Sequence, residues 1–326
     1  MPLSRGGIML NRKTIFFVFS FYLVGFGTAV AQQNVCGINL PANAVWKFDH
    51  FPGSAVLPKS IDGAPNFREV DTDPVYGTAQ PTVAAVAEIL RKTGADEHRV
   101  LWINLREEPF LYINGRPYAL RDPQHPFKNL AGVASVAAET QQTETCLENE
   151  LRNQAAQNGG MVDLYDETAD GKLVGKAEEL GSVETVDEVF MDMGRQGYKI
   201  DFHRIPVEDE KAPTSEALQV LLSVYANKPT NEPLVANCQG GKGRTTTALA
   251  IYYISRGLDP DTSIDKVGAA QNLRTLIEKQ KDPQKKQDFQ QRYDLLKLLP
   301  EVLKSKAPSV KGPDVNIPAP ETINFD

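Results

Sequence analysis

Histidine and cysteine are scarce in this chain, four and three in 326 residues. The four histidines form no cluster, so no resident metal is expected. Positive charge is short as well. Lys and Arg total 35 against 42 Asp and Glu, a net charge of −7. That balance argues against binding nucleic acid through bulk charge. An anionic substrate would need a local basic pocket working against the average field. Long apolar runs are absent after the first thirty-odd residues, and internal repeats are absent throughout. What remains, 41% hydrophobic and 24% charged, is the composition of a globular protein.

The one long apolar run lies at the start. Arg5, Arg12 and Lys13 precede the apolar stretch 14–27, and Ala29-Val30-Ala31 supplies a small-x-small cleavage pattern before Gln32. This reads as a secretory signal peptide cleaved after Ala31. The run falls short of the ~20 residues that a span needs, and no lipobox precedes Cys36, so no stable membrane anchor is expected. A periplasmic or secreted location follows, with an oxidising environment. Among Cys36, Cys146 and Cys238 an odd count leaves at least one thiol free. A Cys36–Cys146 bridge with Cys238 free fits that count, and so do two unpaired buried cysteines. The expected organisation is a signal peptide over 1–31, one domain over 32–306, and a Pro-rich tail over 307–326.

Residues 32 to about 75 are rich in Pro, Gly and Asn and read as loops. Helical patterns cover 81–91, 135–157, 183–196, 214–226, 245–255, 262–280 and 285–304. Strands are expected at 100–105, 161–165, 198–205 and 234–237, with a hairpin at 110–120 turning at Asn114-Gly115. Alternating strands and helices point to an α/β fold, a mainly parallel central sheet of four or five strands flanked by helices. Residues 100–180 add a small β-rich elaboration.

The chemistry sits in Asn237-Cys238-Gln239-Gly240-Gly241-Lys242-Gly243-Arg244-Thr245. A strand leads in and a helix leads out. The glycines let consecutive N–H groups turn toward one anion, and the helix points its positive end at the same spot. Arg244 offers a planar fork for two phosphate oxygens. The same field favours the Cys238 thiolate, the form that attacks phosphorus. Thr245 is placed to hydrogen-bond the sulfur as it leaves. The nucleotide-binding P-loop does not fit, because Gly241-Lys242 is followed by Gly243 and not by Ser or Thr.

This loop resembles the protein-tyrosine-phosphatase superfamily. The wider match is to the paladin-like and cysteine-phytase branch, the protein-tyrosine-phosphatase-like inositol polyphosphatases. Four segments carry it: Pro74-Val-Tyr-Gly-Thr-Ala-Gln-Pro81; Trp102-Ile-Asn-Leu-Arg-Glu-Glu-Pro109 with Ile113-Asn-Gly115; His203-Arg-Ile-Pro-Val-Glu-Asp-Glu-Lys-Ala-Pro213; and the Cys238 loop. They span about residues 65–300. The resemblance implies the fold of that superfamily, a phosphocysteine intermediate and no cofactor.

The mechanism needs an acid for the leaving oxygen. Glu208, Asp209 and Glu210 all follow a strand, and the resemblance selects Asp209 by its Asp-x3-Pro spacing to Pro213. The Trp-Pro-Asp of tyrosine phosphatases is missing, which weakens the case for phosphotyrosine proteins. For a substrate with several phosphates, the cradle residues Gln239, Gly240, Gly241, Lys242 and Gly243 are joined by Lys211, Arg68 and Arg106 as candidate ligands. For Arg106, a fold-internal pair with Glu107 or Glu108 is the competing reading. Lys242 departs from many cysteine phytases, which carry an apolar residue there. The implied substrate is a small anionic inositol polyphosphate such as phytate. A tyrosine or dual-specificity protein phosphatase is the rival, and a catalytically silent phosphate-binding module the third reading.

Overall fold

The computed structural model describes residues 32–306, apart from 42, 72 and 131–135. The expected signal peptide over 1–31 and the expected tail over 307–326 lie outside the described residues. In chain order the elements begin with β1 (Gln32–Val35), β2 (Ile38–Pro41), β3 (Val45–Phe48), β4 (Arg68–Glu69) and β5 (Val75–Thr78). Next come α1 (Val83–Lys92), β6 (Val100–Arg106), β7 (Leu111–Ile113), β8 (Arg116–Arg121), α2 (Ala137–Gln157), β9 (Met161–Glu167) and β10 (Leu173–Glu179). The chain continues through β11 (Val183–Glu184), α3 (Val186–Arg195), β12 (Ile200–Val207), α4 (Ser215–Asn227), β13 (Leu234–Asn237) and α5 (Gly243–Ser255). It closes with α6 (Pro260–Val267), α7 (Leu273–Lys279) and α8 (Pro283–Lys306).

The central sheet has five strands in the order β12-β6-β13-β5-β4. All neighbours pair in parallel except β4 with β5. Every residue of β6 is buried, as expected for a strand covered on both faces. Alternate side chains divide between two cores. Leu101, Ile103 and Leu105 pack with Leu221 of α4 and with Leu249 and Ile251 of α5. Val100 and Trp102 pack with Ile89 of α1 and Phe190 of α3. Thr82 caps α1, and Thr185 with Glu188 forms a capping box on α3, so the helix starts are set locally.

The elaboration is larger than the sequence suggests. It is a six-stranded sheet, β10-β9-β3-β8-β7-β11, with its own core of Trp46, Leu111, Ile113, Leu147, Leu151 and Leu164 against α2. A Cys36–Cys146 disulfide fastens the β1–β2 turn to α2. Four corrections follow. The 32–75 segment holds four strands, each too short for periodicity to show. β5 and β10 went unread, β10 because it is largely exposed and lacks alternation. The 183–196 helix begins at Val186, after β11. The 262–280 helix is two, since α6 stops at Gly268 and Asn272 caps a new start.

Candidate active site

β13 lies in the middle of the central sheet and delivers the chain into the loop 238–243 at its carboxyl end. The carbonyls of residues 239–243 are each held by a donor. Gln80 N donates to Gln239 O at 3.1 Å and Thr246 N to Lys242 O at 3.1 Å. Asn66 Nδ2 donates to Gly240 O at 2.8 Å, Arg68 Nη1 to Gly241 O at 2.7 Å, and Arg292 Nη2 to Gly243 O at 3.0 Å. With these carbonyls turned out, the N–H groups of the loop face inward. Among the described residues, none of the N–H groups of 239–243 meets a protein acceptor. The result is a ring of free donors at the positive end of α5, suited to a tetrahedral oxyanion. Gly241 is required there. Its φ is +65°, and a Cβ would lie 2.3 Å from Ala79 N.

A buried amide cluster fixes this loop to the sheet. Gln80 Oε1 accepts from Asn237 Nδ2 at 2.9 Å and from Asn104 Nδ2 at 3.3 Å. Gln80 Nε2 donates to Tyr112 Oη, and Trp102 Nε1 to Asn237 Oδ1. Three of the four segments singled out in the sequence therefore meet at Gln80.

Cys238 is buried and is the free cysteine among the described residues. Thr245 Oγ1 donates to its sulfur at 3.2 Å. Arg244 is also buried. Its Nη1 and Nη2 donate to Glu108 at 2.6 and 2.9 Å, and Nη1 also reaches Val207 O at 3.0 Å. Nη2 lies 3.2 Å from Asp209 Oδ1, while Nε is buried without a partner. The Nε–Nη2 edge is thus the side left for a ligand, with Asp209 occupying half of it. Burial alone would depress the guanidinium; Asp209, Glu108 and Cys238 outweigh it and raise Arg244 well above its usual value. Burial likewise pushes Glu108 up, but Arg244 and Arg106 hold it well below the usual carboxylate range.

The cationic candidates divide. Lys242 is half-buried and, among the described residues, without a partner. Arg106 is fully buried, with Nη1 2.5 Å from Asp49 Oδ2 and Nε 3.0 Å from Glu108 Oε1. The pair with Glu108 is the fold-internal contact that competes with a phosphate for this side chain, while its Nη2 is buried without a hydrogen-bond partner. Arg68 packs behind the loop over Gly77, where a Cβ would come within 2.9 Å of its Cζ. Its Nη1 supports Gly241, while Nε and Nη2 are buried without a hydrogen-bond partner. Burial lowers Arg68 and Arg292 to about 10, so both stay charged at neutral pH. Lys211 donates to Asp288 Oδ1 of α8 at 2.9 Å and is committed to that contact.

Of the three carboxyls after β12, Asp209 alone touches Arg244, and Asn129 Nδ2 donates to its Oδ2 at 3.4 Å. Glu210 pairs with Lys285 at 2.7 Å, and Glu208 is exposed. His203 is bound to Asp201 at 2.9 Å, consistent with a structural place on β12. Among the described residues no group of His, Cys, Asp and Glu could hold a metal. No described helix is long and apolar enough to cross a membrane.

Sequence reasoning missed Asp49, Asn66, Gln80, Arg292 and Asp288, and saw Glu108 only as a partner for Arg106. Asn66 and Gln80 carried a signal, since Gln80 lies inside the segment 74–81 and Asn66 two positions before Arg68. Arg292 carried none: a lone arginine in a polar helix has no local mark.

Residues 103–256 match the PTP-like phytase family model, described as inositol hexakisphosphate. Paladin from Gallus gallus is 31% identical over 196 residues, which cover 58% of this chain and 22% of that one. Among solved structures, the tandemly repeated protein tyrosine phosphatase like phytase from Mitsuokella multacida is similar with a TM-score of 0.61. It is 18% identical, over 82% of this chain and 46% of that one. The PTP-like myo-inositol phosphatase from Mitsuokella multacida, in complex with myo-inositol-(1,3,4,5)-tetrakisphosphate, is similar with a TM-score of 0.59. It is 17% identical, over 80% of this chain and 46% of that one. The chain therefore spans about a fifth of the length of the paladin it matches and about half that of these two structures.

Proposed function

We propose that the chain is a cysteine-dependent phosphatase of myo-inositol polyphosphates, a reading supported by the match of residues 103–256 to the protein-tyrosine-phosphatase-like phytase family model. One observation carries the reading: a free cysteine, a ring of inward N–H donors, an open arginine edge and Asp209 all converge on one small volume. In the first step the Cys238 thiolate attacks phosphorus. The S–P bond forms, the P–O bond to the inositol breaks, and Asp209 gives its proton to the departing oxygen. The phosphoryl oxygens take the loop N–H groups and the Nε–Nη2 edge of Arg244, releasing Asp209 from that arginine. In the second step Asp209 takes a proton from water as the water attacks phosphorus. The S–P bond breaks, with Thr245 donating to the sulfur that leaves.

The substrate class rests on charge. Lys242 is an unspent ammonium at the rim, suited to a second phosphate on the same molecule. The relative with a bound inositol tetrakisphosphate supports the same choice. Export to the periplasm or beyond is part of the proposal, and the Cys36–Cys146 disulfide supports it.

The test is phosphate release from phytate, an inositol-lipid head group and a phosphotyrosine peptide, comparing the protein with Cys238→Ser. Release from phytate, lost in the variant, is expected. Release from the peptide alone would keep the cysteine chemistry and overturn the substrate. No release from any of the three, under reducing conditions, would leave a phosphate-binding module.

A further inference from the structure

The two residues that follow Asp209 do not face the cradle. Lys211 Nζ donates to Asp288 Oδ1 at 2.9 Å, and Lys285 Nζ donates to Glu210 Oε1 at 2.7 Å. Asp288 and Lys285 both belong to α8, and so does Arg292, which donates to Gly243 O at 3.0 Å and to Thr247 Oγ1 at 3.1 Å. Positions 285, 288 and 292 are spaced i, i+3, i+7, so they form one stripe of a single helix. One rigid face therefore holds the Asp209 loop at its first turns and the cradle two turns later.

The loop needs such holding. Lys211 N donates to Glu208 O at 3.2 Å, closing a tight turn around Asp209 and Glu210. Glu210 takes φ +65°, the left-handed region that a residue with a Cβ rarely adopts. A strained turn persists only where its surroundings over-determine it. The start of α8 is itself fixed: Pro283 stands in the first turn and Asp282 Oδ1 accepts from Lys285 N at 2.9 Å. Asp288 is buried and also accepts from Gln284 Nε2 at 3.1 Å.

We infer that Asp288, Lys285 and Lys211 are positioning residues: the α8 stripe holds the Asp209 loop over the cradle before substrate arrives. The inference rests on the reading of Asp209 as general acid. Lys211, in this arrangement, acts through Asp288 and not on a phosphate.

The experiment compares kcat/KM on phenyl phosphate, whose leaving oxygen needs a proton, and on 2,4-dinitrophenyl phosphate, whose leaving oxygen does not. A loss of acid placement falls on the first ester; a general structural defect falls on both. Asp288→Asn is expected to lose at least about 10-fold more on phenyl phosphate than on the dinitrophenyl ester, a fraction of the ~10²–10⁴ that acid catalysis supplies. The exchanged pair Lys211→Asp with Asp288→Lys should recover most of that selectivity. If Asp288→Asn does not fold, Lys285→Met on the surface carries the same comparison. Equal losses on both esters would overturn the inference, provided Asp209→Asn shows the selective loss. If Asp209→Asn is itself unselective, the acid assignment has failed, and the inference falls with it.

Discussion

Glu108 holds Arg244 through both carboxylate oxygens, at 2.6 and 2.9 Å, and so decides which edge of the guanidinium is free. Both groups are buried, so neither can fall back on water. Removing Glu108 takes both of these bonds from the buried Arg244 and leaves it the ion pair with Asp209, at a cost of roughly 3–5 kcal/mol. Glu108→Ala should lose about that much in urea unfolding and lose phosphatase activity with it. Its pH dependence has a definite sign. The folded carboxyl lies below its unfolded value of 4.5, so the stabilisation is complete above that pH and lost as pH falls below it. Glu108→Gln should flatten the acid limb of the stability curve. An unchanged acid limb would mean that Glu108 does not carry this linkage.

Gly241 tests the cradle independently of any chemistry. A side chain there would need a left-handed backbone and would meet Ala79 N and Thr78 C at 2.3 and 2.4 Å. Gly241→Ala should displace the loop and lower tungstate affinity, measured by calorimetry, by at least about 10-fold, the equivalent of one hydrogen bond to an anion. The hydrophobic cores do not touch this position, so the far-ultraviolet spectrum should be preserved. Wild-type affinity in this variant would show that the loop tolerates a Cβ and that the contact argument is wrong.

Lys242 is the cation with charge to spare, which makes it a determinant of preference more than of chemistry. Lys242→Met should raise KM for inositol hexakisphosphate several-fold and leave phenyl phosphate within about 2-fold, since an exposed charge pair contributes ~0–1 kcal/mol and one carrying multiple phosphates somewhat more. The difference should shrink as salt rises from 0.05 to about 0.5 M, because screening shortens the reach of the charge. Equal KM changes on both substrates would remove Lys242 from the selectivity argument.

The sequence made the cradle legible because its requirements are local. Cys238, the glycines, Arg244 and Thr245 lie within eight residues of one strand–turn–helix, and each has a chemical reason to be there. The support is not local. Asp49 and Arg106, Asn66 and Gly240, Gln80 and Asn237 are brought together only by the sheet order. The contacts of the candidate cations were out of reach for the same reason. An isolated Arg68, Arg106 or Lys211 looks available for phosphate until its buried partner is seen. The second sheet was underread because β3, distant in sequence, pairs with β9, and β10 on the other side of β9 is exposed and lacks alternation.

The Cys36–Cys146 bridge closes a loop of 110 residues across the second sheet. Restricting a loop of that size in the unfolded chain stabilises the fold by roughly 2–5 kcal/mol. Replacing both cysteines by serine should lower the thermal midpoint while leaving Cys238 as the one thiol. Wild-type protein in reductant should approach the same midpoint. A variant that melts with the oxidised protein would show that the bridge adds nothing to stability.

Glu107 gives the opposite pH signature to its neighbour. Burial, then Glu208 and Glu108, push its carboxyl up to about 7, against a counteracting pull from Arg244. Between the unfolded value of 4.5 and about 7 the folded protein binds more protons than the unfolded chain. Stability from this group therefore falls as pH rises through that window and stays reduced above it. Glu107→Gln removes the titration and should be indistinguishable from wild type at pH 4.5 but more stable at pH 8. Urea midpoints at several pH values measure the gap directly. The gap must open with rising pH; one that is constant, or that closes, would show that Glu107 ionises without penalty beside Glu208 and Glu108.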